Sequence, residues 1–110
     1  MSLVQEYLEK TKYYKGKYGK KTIVLMQVGA FYEVYALRNK EGNLIGSEIE
    51  EYSRICETSI VDKKICVGQN NVYMSGGRDY MLDKYVAKLE KEGYTIPIYD
   101  QDINGPHTTR

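Results

Sequence analysis

The sequence is poor in the residues that most catalytic and metal chemistry needs. Its one histidine, His107, lies in a polar C-terminal stretch, so a Ser-His-Asp or Cys-His arrangement lacks a well-placed base. Its two cysteines, Cys56 and Cys66, match neither the spacing of a zinc site nor a disulfide framework. Both are expected to be reduced and buried. No apolar run approaches the roughly 20 residues of a membrane span, and no leader-type segment is expected at the start. Charge of one sign is also missing. The formal net charge is +1, without the overall basic excess common in nucleic-acid-binding domains. The stretch Gly16-Lys17-Tyr18-Gly19-Lys20-Lys21 has the composition of a phosphate-binding P-loop but not its spacing. Repeats and low-complexity tracts are absent.

The 110 residues suffice for one small domain with a core, at 42% hydrophobic and 28% charged content. Charge is unevenly placed. Lys10, Lys12, Lys15, Lys17, Lys20 and Lys21 crowd the start, interleaved with Tyr13, Tyr14 and Tyr18. That run reads equally as a solvated helix face or as a phosphate-contacting patch.

Val4, Tyr7, Leu8, Thr11 and Tyr14 recur at helical spacing and predict a helix from Leu3 to about Tyr18. Thr22 to Val28 reads as a buried central strand. Phe31 to Leu37 is its hairpin partner across Gly29-Ala30, and Arg38 to Gly46 reads as a turn or small second hairpin. Ser47 to Glu50 matches a capping box opening a helix through about Cys56. Short strands are expected at 59–61 and 64–67 around an Asp62-Lys63 turn, and at 72–74 before a flexible Gly76-Gly77. Asp79 is the expected N-cap of a helix with the stripe Met81, Leu82, Tyr85, Val86 and Leu89, stopped by Gly93. Tyr94 to Tyr99 is the last strand, and Pro97 places it at an edge or a bulge. This order implies an α/β (α+β) domain, a mixed sheet flanked by about three helices.

Phenylalanine occurs once, at Phe31, against 12 tyrosines. On a strand, Phe31 and Glu33 share a face. An isolated strand Phe is usually core. A carboxylate two residues away on the same face is an awkward neighbour for a buried ring unless it is paired. The pair therefore points to a partly open face at the hairpin tip. There an aromatic ring can enter a base stack, and a carboxylate can accept a hydrogen bond from a base edge. Asp62-Lys63-Lys64 has the Asp-x-Lys spacing of some metal-dependent nucleases. Such a site needs further converging carboxylates, and turn residues are the plainer reading.

Gly29-Ala30-Phe31-Tyr32-Glu33-Val34-Tyr35 resembles the Gly-Asp-Phe-Tyr-Glu-Leu-Phe signature of the MutS family of DNA mismatch-repair proteins. The chain is similar to their N-terminal mismatch-recognition domain, domain I. Val4 to Lys10 resembles the family's leading helix, and Val72-Tyr73-Met74-Ser75-Gly76 its Ile-Pro-Met-Ala-Gly segment. Tyr85-Val86-Ala87-Lys88-Leu89, then Gly93, then Ile96 to Gln101, resembles its Tyr-Leu-Ala-Lys-Leu helix and following strand. Ala30 replaces the usual Asp, Arg38 to Gly46 resembles an insertion, and Arg78 stands where many members have Pro.

The resemblance implies a domain over residues 1–101 and, over 102–110, the start of a linker to a connector domain. It implies that Phe31 inserts beside a mispaired or unpaired base while Glu33 accepts a hydrogen bond from that base. Lys20, Lys21, Met74 and Arg78 are further candidate DNA contacts. The implied partner is mismatched double-stranded DNA, not a membrane, and the implied location is intracellular, at DNA. The isolated domain is expected to be a monomeric, non-enzymatic module without metal or cofactor. ATP and magnesium are expected only for a dimeric full-length protein with a P-loop ATPase elsewhere. Two alternatives stay open: a restriction-like nuclease using Asp62 and Lys64, and a protein-interaction module of a diverged MutS-like protein.

Overall fold

A computed structural model describes residues 2–101 and 107–109 of the chain. The chain folds into a mixed sheet with helices on both faces. In order, the elements are α1 (Leu3–Tyr18), β1 (Leu25–Val28), β2 (Phe31–Arg38), β3 (Leu44–Ile45), α2 (Ile49–Cys56), β4 (Val61–Val67), β5 (Asn70–Arg78), a 3-10 turn (Asp79–Met81), α3 (Leu82–Lys91), β6 (Ile98–Gln101) and β7 (His107–Thr109). Strand order is β4-β5-β2-β1-β6-β7, with β3 also paired to β2. Among the described strands β1 and β6 pair in parallel, continued by a parallel bridge between Thr22 and Thr95, and the other pairs are antiparallel. Among the described residues no helix is long and apolar enough to cross a membrane.

The central strand β2 is buried continuously from Tyr32 to Ala36, so both faces of the sheet are covered there. On one face, Tyr7 of α1 meets Tyr35 edge-on, with ring centroids 5.4 Å apart. The Tyr14 and Tyr99 hydroxyls bond at 3.0 Å on that same face. On the other, Tyr85 of α3 lies against Gly77, the cross-strand partner of Tyr32. Tyr52 of α2 packs edge-on to Tyr85. The core between these layers holds Ile23, Val24, Leu25, Met26, Val34, Ile49, Val72 and Leu89.

The structure bears out the first helix, the β1–β2 hairpin, the small second hairpin at β3 and the Gly93 stop, and it corrects several other expectations. Ser47 does not cap α2. Its hydroxyl donates to the Tyr35 carbonyl, and Glu48 is an N-cap whose side chain pairs with Lys15 and makes no capping bond. The capping box is instead at α1, between Ser2 and Gln5. Asp79 is not the N-cap of α3; it opens the 3-10 turn, and Met81 precedes the helix. Asp62-Lys63 is not a turn. Asp62 accepts from the Lys64 amide at 2.8 Å, and this stretch is an irregularity inside the single strand β4. The chain reverses at Gly68-Gln69. Gly76 and Gly77 are not a flexible exit but lie within β5.

Pro97 does not mark an edge. It sits just before β6, which pairs with both β1 and β7, and its carbonyl accepts from Leu25 at 3.0 Å. The expected linker over 102–110 includes a sheet strand, β7, at His107–Thr109; residues 102–106 and 110 lie outside the described residues. Cys56 is buried as expected, but Cys66 is exposed.

Candidate nucleic-acid interface

β1 and β2 join through Gly29-Ala30, and Gly29 adopts φ +59°, the left-handed conformation that tight hairpin turns require. Other elements brace this tip. The Gly29 amide donates to Gln101 Oε1 at 2.8 Å, and the Gln101 amide donates to Gln27 Oε1 at 2.8 Å. The Asp79 amide donates to the Ala30 carbonyl at 2.8 Å. His107 Nε2 contacts the Gln27 carbonyl. A tip tied to β6, β7 and the 3-10 turn holds its side chains in a fixed place.

Phe31 is the first residue past the turn and is 42% exposed. Glu33, on the same face, is only 7% exposed. Its burial is possible because the Tyr35 hydroxyl donates to Glu33 Oε1. Burial first, and then the adjoining Glu33 carboxylate, push the Tyr35 phenol well above its usual range. The phenol therefore stays a donor. Oε1 is occupied by the Tyr35 hydroxyl, and among the described residues no second partner engages the carboxylate.

A cavity of about 450 Å³ opens on this face, lined by Phe31, Glu33, Thr58, Ser59, Val61, Met74 and Gly76. Its origin lies in the sheet register. β4 pairs with β5 only as far as Val61–Met74, so among the described residues the outer edge of β5 beyond Met74 has no strand beside it. α1 covers the Tyr35 end of the face and leaves the Phe31 end open. Gly76 faces Glu33 across the strands, and a Cβ there would stand 2.4 Å from the Tyr32 carbonyl oxygen. Glycine thus permits the close β2–β5 approach that seats Glu33.

Of the residues singled out from the sequence, four come together. Met74 lines the cavity with Phe31 and Glu33, and Arg78 is the cross-strand partner of Phe31. Lys20 and Lys21 do not join them. They precede β1, at the end opposite the hairpin tip, and Lys21 bonds the Glu92 carbonyl at 2.8 Å and lies over the Tyr94 ring. Asp62 is engaged by the Lys64 amide within β4. Among the described residues, no group of three His, Cys, Asp or Glu side chains is placed to hold a metal. Sequence reasoning missed Tyr35 and Tyr80. Tyr35 could have been found from strand alternation, which puts it on the Phe31–Glu33 face. Tyr80, 75% exposed beside Arg78, gave no periodic signal.

Residues 7–107 match the family model for MutS domain I. The chain is also 33% identical over 100 residues to a mutS homolog of Acanthamoeba polyphaga mimivirus, a protein named for DNA mismatch repair. That similarity covers 90% of this chain, which spans 9% of the relative's length.

Proposed function

The chain belongs to the MutS domain I family, and from that premise we propose that it is the DNA mismatch-recognition module of a longer repair protein. The observation that carries the reading is an exposed Phe31 beside a seated Glu33 on a braced hairpin tip. Phe31 enters the base stack next to a mispaired or unpaired base, and Glu33 accepts a hydrogen bond from that base.

Magnitudes indicate what such a module does alone. Stacking one ring on a base is worth about 1–3 kcal/mol. Bending the duplex costs on the order of 1–6 kcal/mol, and less at a mismatch, where pairing is already weakened. The two terms roughly cancel, so firm binding needs phosphate contacts from other parts of the longer protein. ATP hydrolysis and dimerisation are assigned to those parts as well. The module itself is non-enzymatic in this reading, and a nuclease role for Asp62 and Lys64 draws no support from their placement.

Titration of mismatched and matched duplexes with the full-length protein tests this function. Phe31→Ala should abolish most of the preference for the mismatch. Glu33→Gln should narrow it from the other side, because losing a negative charge near phosphates strengthens matched binding. Unchanged preference in Phe31→Ala contradicts the proposal.

A further inference from the structure

Three exposed side chains form one column at the hairpin tip, and the first of them, Phe31, lines the cavity. The Arg78 guanidinium lies 5.4 Å from the Phe31 ring centroid and 5.6 Å from that of Tyr80. Phe31 and Arg78 are cross-strand partners. The bond from the Asp79 amide to Ala30 fixes the turn that carries Tyr80 against the hairpin tip. Among the described residues Arg78 forms no ion pair, so its charge is not neutralised within the fold. A planar, weakly hydrated guanidinium suits this place, since it can stack on a ring and still present N–H donors to a phosphate.

We infer that Arg78 is a positioning residue for Phe31 and that Tyr80 is a second aromatic contact to the duplex. Arg78 holds the Phe31 ring upright for entry and sets a positive charge at the adjoining phosphate. Tyr80 extends the column outward and packs on the nucleotide flanking the entry point. The inference rests on the proposed wedge role of Phe31 and adds two residues to it. A lysine in place of Arg78 keeps the charge but not the plane, which separates the two parts of the role.

The test is a salt series of titrations with the full-length protein on a duplex carrying one mismatch and on its matched counterpart. Arg78→Lys should keep the salt slope and lose about two- to fivefold of mismatch preference. Arg78→Gln should lose that preference and also lower the log–log salt slope by about 0.9, one phosphate contact. Tyr80→Ala should weaken both duplexes by about fivefold or more. In a Phe31→Ala background, Arg78→Lys should change preference no further, because it acts through the ring. Full mismatch preference in Arg78→Lys, or an undiminished effect of that change without Phe31, overturns the positioning role. Unchanged binding by Tyr80→Ala removes Tyr80 from the interface. If Phe31→Ala itself keeps the preference, the wedge reading fails first and the inference falls with it. Loss in Phe31→Ala alone, with Arg78 and Tyr80 variants like wild type, defeats only the inference.

Discussion

Glu33 has a structural duty as well as a proposed recognition role, and the two separate by substitution. Its carboxylate accepts from Tyr35, a residue only 2% exposed. Glu33→Ala strands that hydroxyl in the interior and should cost about 1–3 kcal/mol. Glu33→Gln keeps an acceptor and should cost less. Adding Tyr35→Phe to Glu33→Ala should recover most of the loss, because no orphan donor remains. Urea melts of the three variants check this, and equal stability of Glu33→Ala and wild type would contradict the buried pair. The open face at Phe31 was legible in the sequence, since a ring and a carboxylate two apart on a strand are hard to bury together. That the carboxylate would be buried was not legible. It depends on Tyr35 bonding back along its own strand, and alternation shows only that the two share a face.

The strand β5 contains two glycines that act through space and not through flexibility. A Cβ on Gly76 would meet backbone, the Tyr32 carbonyl oxygen at 2.4 Å, whereas a Cβ on Gly77 would meet the Tyr85 ring at 2.5 Å. A ring can tilt, but two hydrogen-bonded strands cannot part without losing the ladder between them. Gly76→Ala should therefore destabilise by about 1–3 kcal/mol, and Gly77→Ala by less. Denaturant melts give the order, and the reverse order would contradict the packing described. Helices were the elements read most faithfully, since α1 and α3 carry apolar stripes and α3 stops at Gly93. In the sequence β4 and β5 look like shorter, broken pieces, because Asp62-Lys63 and Gly76-Gly77 have turn chemistry. Sheet pairing overrode that local preference, through the bulge at Asp62–Cys66 and the close approach at Gly76. The Ser47 box failed for a related reason. The Ser47 hydroxyl is turned back to donate to the Tyr35 carbonyl, and the helix begins one residue later, with Glu48 at its N-cap.

At the scale of the molecule, the core is built on tyrosine to an unusual degree, and this sets its response to alkali. Burial holds the Tyr7 and Tyr52 phenols well above their usual range, and burial together with Glu33 does so for Tyr35. A pKa higher in the folded than in the unfolded state contributes stability that is fully present below the unfolded value, near 10, and is lost as pH rises beyond it. Stability should thus be insensitive to these groups at neutral pH and fall steeply above about pH 10. A spectrophotometric titration of Tyr7, Tyr35 and Tyr52, followed beside the loss of folded structure, checks this. The buried three should ionise only with loss of the fold, and their ionisation ahead of that loss would contradict this core.

A fluorescent base reports directly on a Phe31 wedge at a mismatch. 2-Aminopurine placed beside the mismatch brightens when it is unstacked. With saturating full-length protein, a Phe31 wedge should brighten the mismatched duplex, do little to the matched one, and be lost with Phe31→Ala. Equal brightening by Phe31→Ala and wild type would contradict it.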